Sequence, residues 1–377
     1  MIYLDSAASS HPKPAPVKAA VLAQLRNGAN PGRSGHPPAL EASKTVFGTR
    51  QQLAEIFNTT PEFVIFTLNT THAINLALKG LLRRGDHVLI SDLEHNSVLR
   101  PLVALRERGV QFTQVPTSGD DETTLRAFRD RLRSDTKMIF CTHASNVTGQ
   151  ILPVRALGQM CREKGILFGV DGAQTAGTEA LDLKKDEIDL LCIPGHKGLL
   201  GPQGTGALLT ACPLDLAPLT EGGTGSHSLA EEQPRIFPEG YESGTVNTSG
   251  IAGLRAGAAY AEAHRKAFRA REAELRMFFT EELKKIPGYR ILGQGEAFVP
   301  TVALVHETIP SERLAALLAE QNVCVRGGFH CALSAHRALG TTASGALRVS
   351  FGYRNTLRDV TECVKYLKNY QTNRTRG

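Results

Sequence analysis

The chain has 377 residues, of which 41% are hydrophobic and 21% charged, and its formal net charge is +6. That is the make-up of a globular protein with length for two domains, and its interleaved acids and bases argue against a nucleic-acid-binding stripe. No run of about 18 apolar residues suggests a membrane span. The opening "MIYLDSAASSHPKP" lacks the basic start and apolar stretch of a secretory signal, and the seven cysteines form no CxxC pair. Reduced thiols in a cytoplasmic protein are the expectation.

Short apolar runs alternate with amphipathic segments over the first 210 residues. Strands are predicted at 63–67, 87–91, 110–115, 137–142 and 166–170, with helices at 71–82, 97–107, 122–133 and 153–163 between them. The basic stretch "LRAFRDRLR" (125–133) spaces Leu125, Phe128 and Leu132 as one helix face does, so its charges read as a solvated surface. Alternation of this kind implies an α/β fold with a mostly parallel sheet covered by helices. Two further strands, 189–194 and 206–210, follow without a full helix between them. Beyond residue 245 the texture changes. Residues 249–285 predict one or two long helices. Strands at 289–292, 300–305, 323–326 and 346–350, with helices at 311–320 and 356–370, then form a smaller α+β unit. The domains expected are a large one over 16–248 and a small one over 249–377, with residues 1–15 packing on the small one.

In open α/β sheets, ligand sites gather at the carboxyl ends of strands. In "FTLNTTHAINLAL" (66–78), Thr70 and Thr71 place hydroxyls beside free N–H groups at a helix start, either a phosphate seat or a plain N-cap. In "FGVDGAQTAG" (168–177), Asp171 follows a strand and is either a buried acid of a site or a helix cap. His95 in "LEHNSVLRP" and Asn146 in "HASNVTGQILP" have equally ordinary readings, as a structural histidine and a turn residue. In "CIPGHKGLLGPQG" (192–204), Lys197 stands directly behind His196 in a glycine-rich run. Pyridoxal phosphate asks for this combination: a lysine to bind its aldehyde, a seat for its phosphate, an acid against its ring nitrogen and donors to its phenolic oxygen.

From "YLDSAAS" (3–9) to "RVSFGYRNT" (348–356), the sequence resembles the class V aminotransferase family of fold-type I pyridoxal-phosphate enzymes, in its cysteine desulfurase and selenocysteine lyase branch. The resemblance implies a large domain with a seven-stranded-type, mostly parallel sheet and a smaller C-terminal α+β domain. It implies that Lys197 carries the cofactor, Asp171 pairs with the ring nitrogen, Gln174 and Asn146 contact the phenolic oxygen, and His95 stacks on the ring. Thr70, Thr71 and His196 would hold the phosphate. Thr245, in "YESGTVNTSGI", would reach the phosphate of a partner subunit, making a homodimer with shared sites. Where the family commonly has a Ser or Thr two residues before the histidine of "GHK", this chain has Pro194, so one phosphate hydroxyl is missing.

The stretch "CVRGGFHCALSAHRALG" (324–340) resembles the segment bearing the sulfur-accepting cysteine, which falls on Cys331. Arg348 matches the family arginine that clamps the substrate carboxylate, a task for which a guanidinium fork is suited. Arg326, Asn146 and His36, in "RSGH" (33–36), are further substrate candidates. The implied reaction takes L-cysteine to L-alanine and leaves a persulfide on Cys331, with a sulfur-acceptor protein as a further partner. Lys197 moves the α-proton, and His95 is a proton donor or acceptor. Selenocysteine lyase is the neighbouring alternative; a class V aminotransferase, another β-eliminating lyase and a non-catalytic scaffold are more distant ones. The His330, Cys331, His336 and Cys324 group lacks paired metal-ligand spacing, so no metal is expected.

Overall fold

The computed structural model describes residues 1–32 and 34–372. Its elements run β1 (Ile2–Tyr3), α1 (Ala15–Asn27), α2 (Pro37–Phe57), β2 (Val64–Thr67), α3 (Thr70–Leu81), β3 (His87–Ser91), α4 (Asn96–Arg106), β4 (Gln111–Val115), α5 (Asp121–Arg129), β5 (Thr136–Thr142), α6 (Val154–Lys164), β6 (Leu167–Asp171), β7 (Leu190–Pro194) and β8 (Gly206–Thr210). After them come α7 (Thr248–Lys284), β9 (Tyr289–Leu292), β10 (Thr301–His306), α8 (Ser311–Glu320), β11 (Val323–Cys324), α9 (Leu333–Ala338), β12 (Leu347–Ser350) and α10 (Leu357–Thr372).

Seven strands form one sheet in the order β2-β8-β7-β6-β5-β3-β4. Pairing is parallel from β4 through β7, while β8 is antiparallel to both its neighbours, β7 and β2. Strands β7 and β8 have no helix between them, and a parallel pair would need such a crossover, so the chain turns straight back. Strands β2, β3, β7 and β8 are buried along their whole length, as a sheet covered on both faces requires. One core fills one side of the sheet with Phe57, Phe128 and Phe168, and a second fills the other with Ile74, Leu102 and Phe140.

A three-stranded antiparallel sheet, β12-β10-β9, shelters a third core that includes Phe279, Val302, Leu314 and Phe351. Leu4 is part of that core, and β1 pairs in parallel with β11. The strand predicted over 323–326 shortens to β11, and Arg326 makes only an isolated bridge with Arg348. The helix predicted over 122–133 ends at Arg129. The long segment is one helix, α7, capped by the Asn247 side chain, which accepts from Gly250 N–H.

Candidate active site

Five strands of the large sheet deliver a polar group at or just after their carboxyl ends. Thr70 follows β2, His95 follows β3, Asn146 follows β5, Asp171 closes β6 and Lys197 follows β7. They line one pocket of about 480 Å³, which Thr71, Gln174 and His196 also line. The glycines around Lys197 serve close packing: a Cβ on Gly198 would lie 2.5 Å from the Ala176 carbonyl oxygen. The turn is tied down by Gly201 N–H donating to Gly195 O and Leu200 N–H to Lys197 O. On the other side, the His196 carbonyl accepts from Ser10 N–H and from Lys13 Nζ at 2.7 Å.

Burial dominates the electrostatics. It pulls the Lys197 ammonium down to about 8, against an upward pull from Asp171. It pushes the Asp171 carboxyl up to about 6, although Oδ1 accepts from Ala173 N–H at 2.9 Å and Lys197 opposes the rise. Burial, with help from the Lys197 charge, also holds His95 and His196 at about 4, so both rings are neutral near pH 7. His95 caps α4: its Nδ1 accepts from Ser97 N–H at 3.0 Å, which leaves the ring proton on Nε2. Ser97 Oγ lies 2.8 Å from that Nδ1 and 2.7 Å from Thr71 Oγ1.

At the start of α3, the Asn69 side chain caps His72 N–H. The neighbouring N–H groups of this first turn have no intrahelical partner and carry the positive end of the helix dipole. Thr70 Oγ1 and Asn146 Oδ1 are buried with no hydrogen-bond partner among the described residues. Asn146 Nδ2 donates to His330 O at 2.8 Å, and Gln174 Nε2 to Ala7 O at 3.2 Å. Pro194 closes β7, fully inside the sheet, and offers no hydroxyl there.

Arg348 lies beside this pocket. Its Nη1 donates to Asn146 O at 3.0 Å and its Nη2 to Asp5 Oδ1 at 2.8 Å, while the buried Nε has no partner among the described residues. Arg326 shares the same carboxylate, with Nη2 at 2.9 Å from Asp5 Oδ2. Cys331 is exposed, on a turn where His330 and Cys331 both have positive φ. Its carbonyl accepts from Asn96 N–H at 2.7 Å, which docks the turn on the residue next to His95. Two candidates lie elsewhere. His36 is an exposed N-cap of α2, its Nδ1 accepting from Ala39 N–H, and Arg33 of the same motif is outside the described residues. Thr245 lines a different cleft, with Thr67, Leu68 and His72.

Sequence reasoning assigned no role to Ser97, Asp5 or Glu94. Ser97 stands two residues after His95, a spacing that signals a side-chain bond back to the cap. Asp5 sits in the quoted "YLDSAAS", but its partners are hundreds of residues away. Glu94 Oε1 accepts from Ser91 Oγ at 2.5 Å and from Thr142 N–H at 2.9 Å, joining the ends of β3 and β5 behind the pocket.

The family model described as aminotransferase class-V matches residues 2–363. The chain belongs to this family. It is 33% identical over 372 residues to a probable cysteine desulfurase of Methanothermobacter thermautotrophicus, covering 95% of this chain and 92% of that protein. The apo structure of a cysteine desulfurase from Thermococcus onnurineus superposes with a TM-score of 0.91 at 28% identity, covering 99% of this chain and 95% of that one. The cysteine desulfurase CsdA of Escherichia coli, solved in its S-sulfonic acid form, gives 0.87 at 25% identity, covering 98% and 94%.

Class-V aminotransferases depend on pyridoxal phosphate, and the pocket fits that group. It holds a depressed lysine amine, a buried acid, a helix N-terminus with an unpartnered Thr70 hydroxyl, and an unpartnered Asn146 side-chain Oδ1. Each orphan is a buried polar atom whose desolvation a ligand would repay.

Proposed function

We propose that the protein is a pyridoxal-phosphate-dependent cysteine desulfurase that converts L-cysteine to L-alanine and loads the sulfur on Cys331. One observation carries this reading: the Cys331 turn is fastened by Asn96 N–H to the start of α4, beside His95 of the lysine pocket. The bond runs to the backbone carbonyl of Cys331 and so fixes the turn that carries this exposed thiol. The names of the relatives favour a desulfurase over a selenocysteine lyase.

Lys197 would hold the cofactor, with Asp171 against its ring nitrogen and His95 over its face. Thr70, Thr71, His196 and the N–H groups of α3 would take the phosphate. The spare N–H groups of Gln174 and Asn146 would face the phenolic oxygen; each amide nitrogen carries two hydrogens and spends one on a carbonyl. Ser97 brings a further hydroxyl to a pocket that Pro194 deprives of one. When bound, the cofactor supplies an electron sink for the bond-breaking at the substrate.

The chain's own groups do the rest. Arg348 receives the substrate carboxylate through its free Nε–H side while Asp5 and the Asn146 carbonyl fix its plane. Lys197, once released, takes the α-proton. The Cys331 thiolate attacks the substrate sulfur; the new S–S bond forms as the carbon–sulfur bond breaks, and its electron pair stays with the carbon fragment. His95, with its proton on Nε2, donates or accepts along the way. The fragment gains protons and leaves as alanine, so cysteine plus thiol gives alanine plus persulfide. An exposed Cys331 suits delivery of that sulfur to an acceptor protein.

Further parts of the reading rest on placement. The large unit, 16–248, carries the cofactor groups, and the unit formed by 249–377 with 1–15 carries Arg326, Cys331 and Arg348. Thr245 lies outside its own chain's lysine pocket, and Leu22, Leu25, Leu40 and Phe47 are exposed on α1 and α2, which supports a homodimer in which Thr245 enters the partner's site. All seven cysteines are free, which suits the cytoplasm. No helix among the described residues is long and apolar enough to cross a membrane.

The test is Cys331→Ala on the cofactor-loaded enzyme. Loss of the sulfur adduct by mass spectrometry, together with loss of sulfide and alanine production from cysteine, is expected. Undiminished alanine and sulfide formation would refute the persulfide route.

A further inference from the structure

Beside the lysine pocket lies a second cavity of about 570 Å³, its open mouth included. The two share only Ala173, Gln174 and Lys197 among their lining residues. The second one sits between the N-terminal segment, α7 and the loop after β12. Its walls are largely apolar, with Val299 and Phe351 fully buried and the Phe268 and Tyr353 rings 5.3 Å apart. Into this wall α7 sets Glu272, which is 5% exposed. Its carboxyl has no hydrogen bond or ion pair among the described residues, although a buried carboxyl normally finds one.

The cations on α7 nearest in sequence are engaged elsewhere. Arg269 pairs with Glu179 at 2.9 Å, Arg271 with Glu274 at 2.8 Å, and the Arg276 guanidinium lies 3.7 Å from the centre of the Phe298 ring. Burial, and then the Glu179 charge, push the Glu272 carboxyl up to about 8. Burial and the nearby Glu179 charge, with no cation paired to it among the described residues, keep this acid neutral. The Lys197 amine, the one cationic side chain among the described residues of the wall, is assigned to the cofactor.

We propose that this cavity is a binding site for a small organic cation, held by the Glu272 carboxylate and the Phe268 and Tyr353 rings that line it. A cation supplies the one partner the site lacks, and aromatic faces attract it through their ring quadrupole. A desolvated pocket strengthens both contacts. The site is distinct from the substrate position assigned to Arg348, which is built for a carboxylate.

Choline is a suitable probe, because it has no primary amine to react with the cofactor and no carboxylate to occupy Arg348. Its neutral isostere, 3,3-dimethylbutan-1-ol, has the same shape without the charge. Calorimetric titration of the cofactor-loaded enzyme should show saturable choline binding below about 50 mM, with the alcohol at least tenfold weaker, roughly the share of one desolvated charge contact. Glu272→Gln, which keeps the shape of the side chain, should weaken choline about tenfold or more, and Phe268→Leu should weaken it less. An unchanged cofactor absorbance spectrum in both variants checks that the fold and the lysine pocket are intact. Equal affinity for the alcohol, full affinity in Glu272→Gln, or no saturable binding of choline would each overturn the proposal.

Discussion

Asp5 neutralises two arginines at once, and the two are unequal. The Arg348 side chain is 4% exposed and its Nη2 lies 2.8 Å from Oδ1; the Arg326 side chain is 51% exposed and its Nη2 lies 2.9 Å from Oδ2. Coulomb's law at an effective dielectric constant of about 20 gives roughly 6 kcal/mol for the closer contact, before desolvation is subtracted. Removing one partner of a buried pair costs about 3–5 kcal/mol, because the other charge is stranded. A half-exposed pair contributes under about 1 kcal/mol. Asp5→Asn keeps the shape and one neutral hydrogen bond, which returns about 1 kcal/mol. The expected loss is therefore about 3 kcal/mol, nearly all of it through Arg348. Arg326→Ala should cost less than about 1 kcal/mol. Guanidinium-induced unfolding at saturating cofactor, followed by circular dichroism, measures both. If Asp5→Asn costs no more than Arg326→Ala, the idea that Asp5 exists chiefly to hold Arg348 is wrong.

Glu94 gives a pH signature. Burial raises its carboxyl from an ordinary 4.5 to about 8, so its contribution is full below about pH 4.5 and is lost as pH rises through 8. Glu94→Gln should therefore gain stability relative to the parent with rising pH, by up to about 1.4 kcal/mol per unit between those limits; parallel stability–pH curves would contradict this. His143 behaves in the opposite sense: burial lowers it to about 4, so its contribution is full above about pH 6.5 and is lost on acidification, and His143→Gln should flatten the acid limb of the same curve. Gly257 on α7 faces the lysine turn, and a Cβ there would lie 2.5 Å from Leu199 O and 2.7 Å from Gly201 N. Gly257→Ala should cost about 1–3 kcal/mol and lower cofactor occupancy, read from the visible absorbance; full occupancy with unchanged stability would show that the turn can yield. Ser97→Ala should leave His95 with one neighbour fewer and lower kcat more than it raises KM for cysteine; a change confined to KM would count against a positioning role.

The sequence by itself determined the alternation of strands and helices, because hydrophobic period and strand-end chemistry are local properties. The boundaries of β3 and β8 match the predicted ones, and Lys197, Asp171, Asn146, His95 and Thr70 stand at strand ends as the pattern implies. Local signals were weaker for α1 and α2, which were not predicted. Both begin at or next to prolines, and their apolar residues are spread around the helix rather than gathered on one face. The tertiary structure alone decided what depends on distant pairs. Asp5 meets Arg348 across 343 positions, and no local pattern encodes that partnership. The same holds for the berth of Cys331 on Asn96 and for the separation of Thr245 from its own lysine pocket. Glu272 reads in sequence as one more acid on a charged helix. Only the tertiary structure, which places it in one cavity wall with Phe351 and Val299, buries it without a partner. Periodicity tells a residue which face it is on, whereas burial and pairing depend on what the rest of the chain brings to that face.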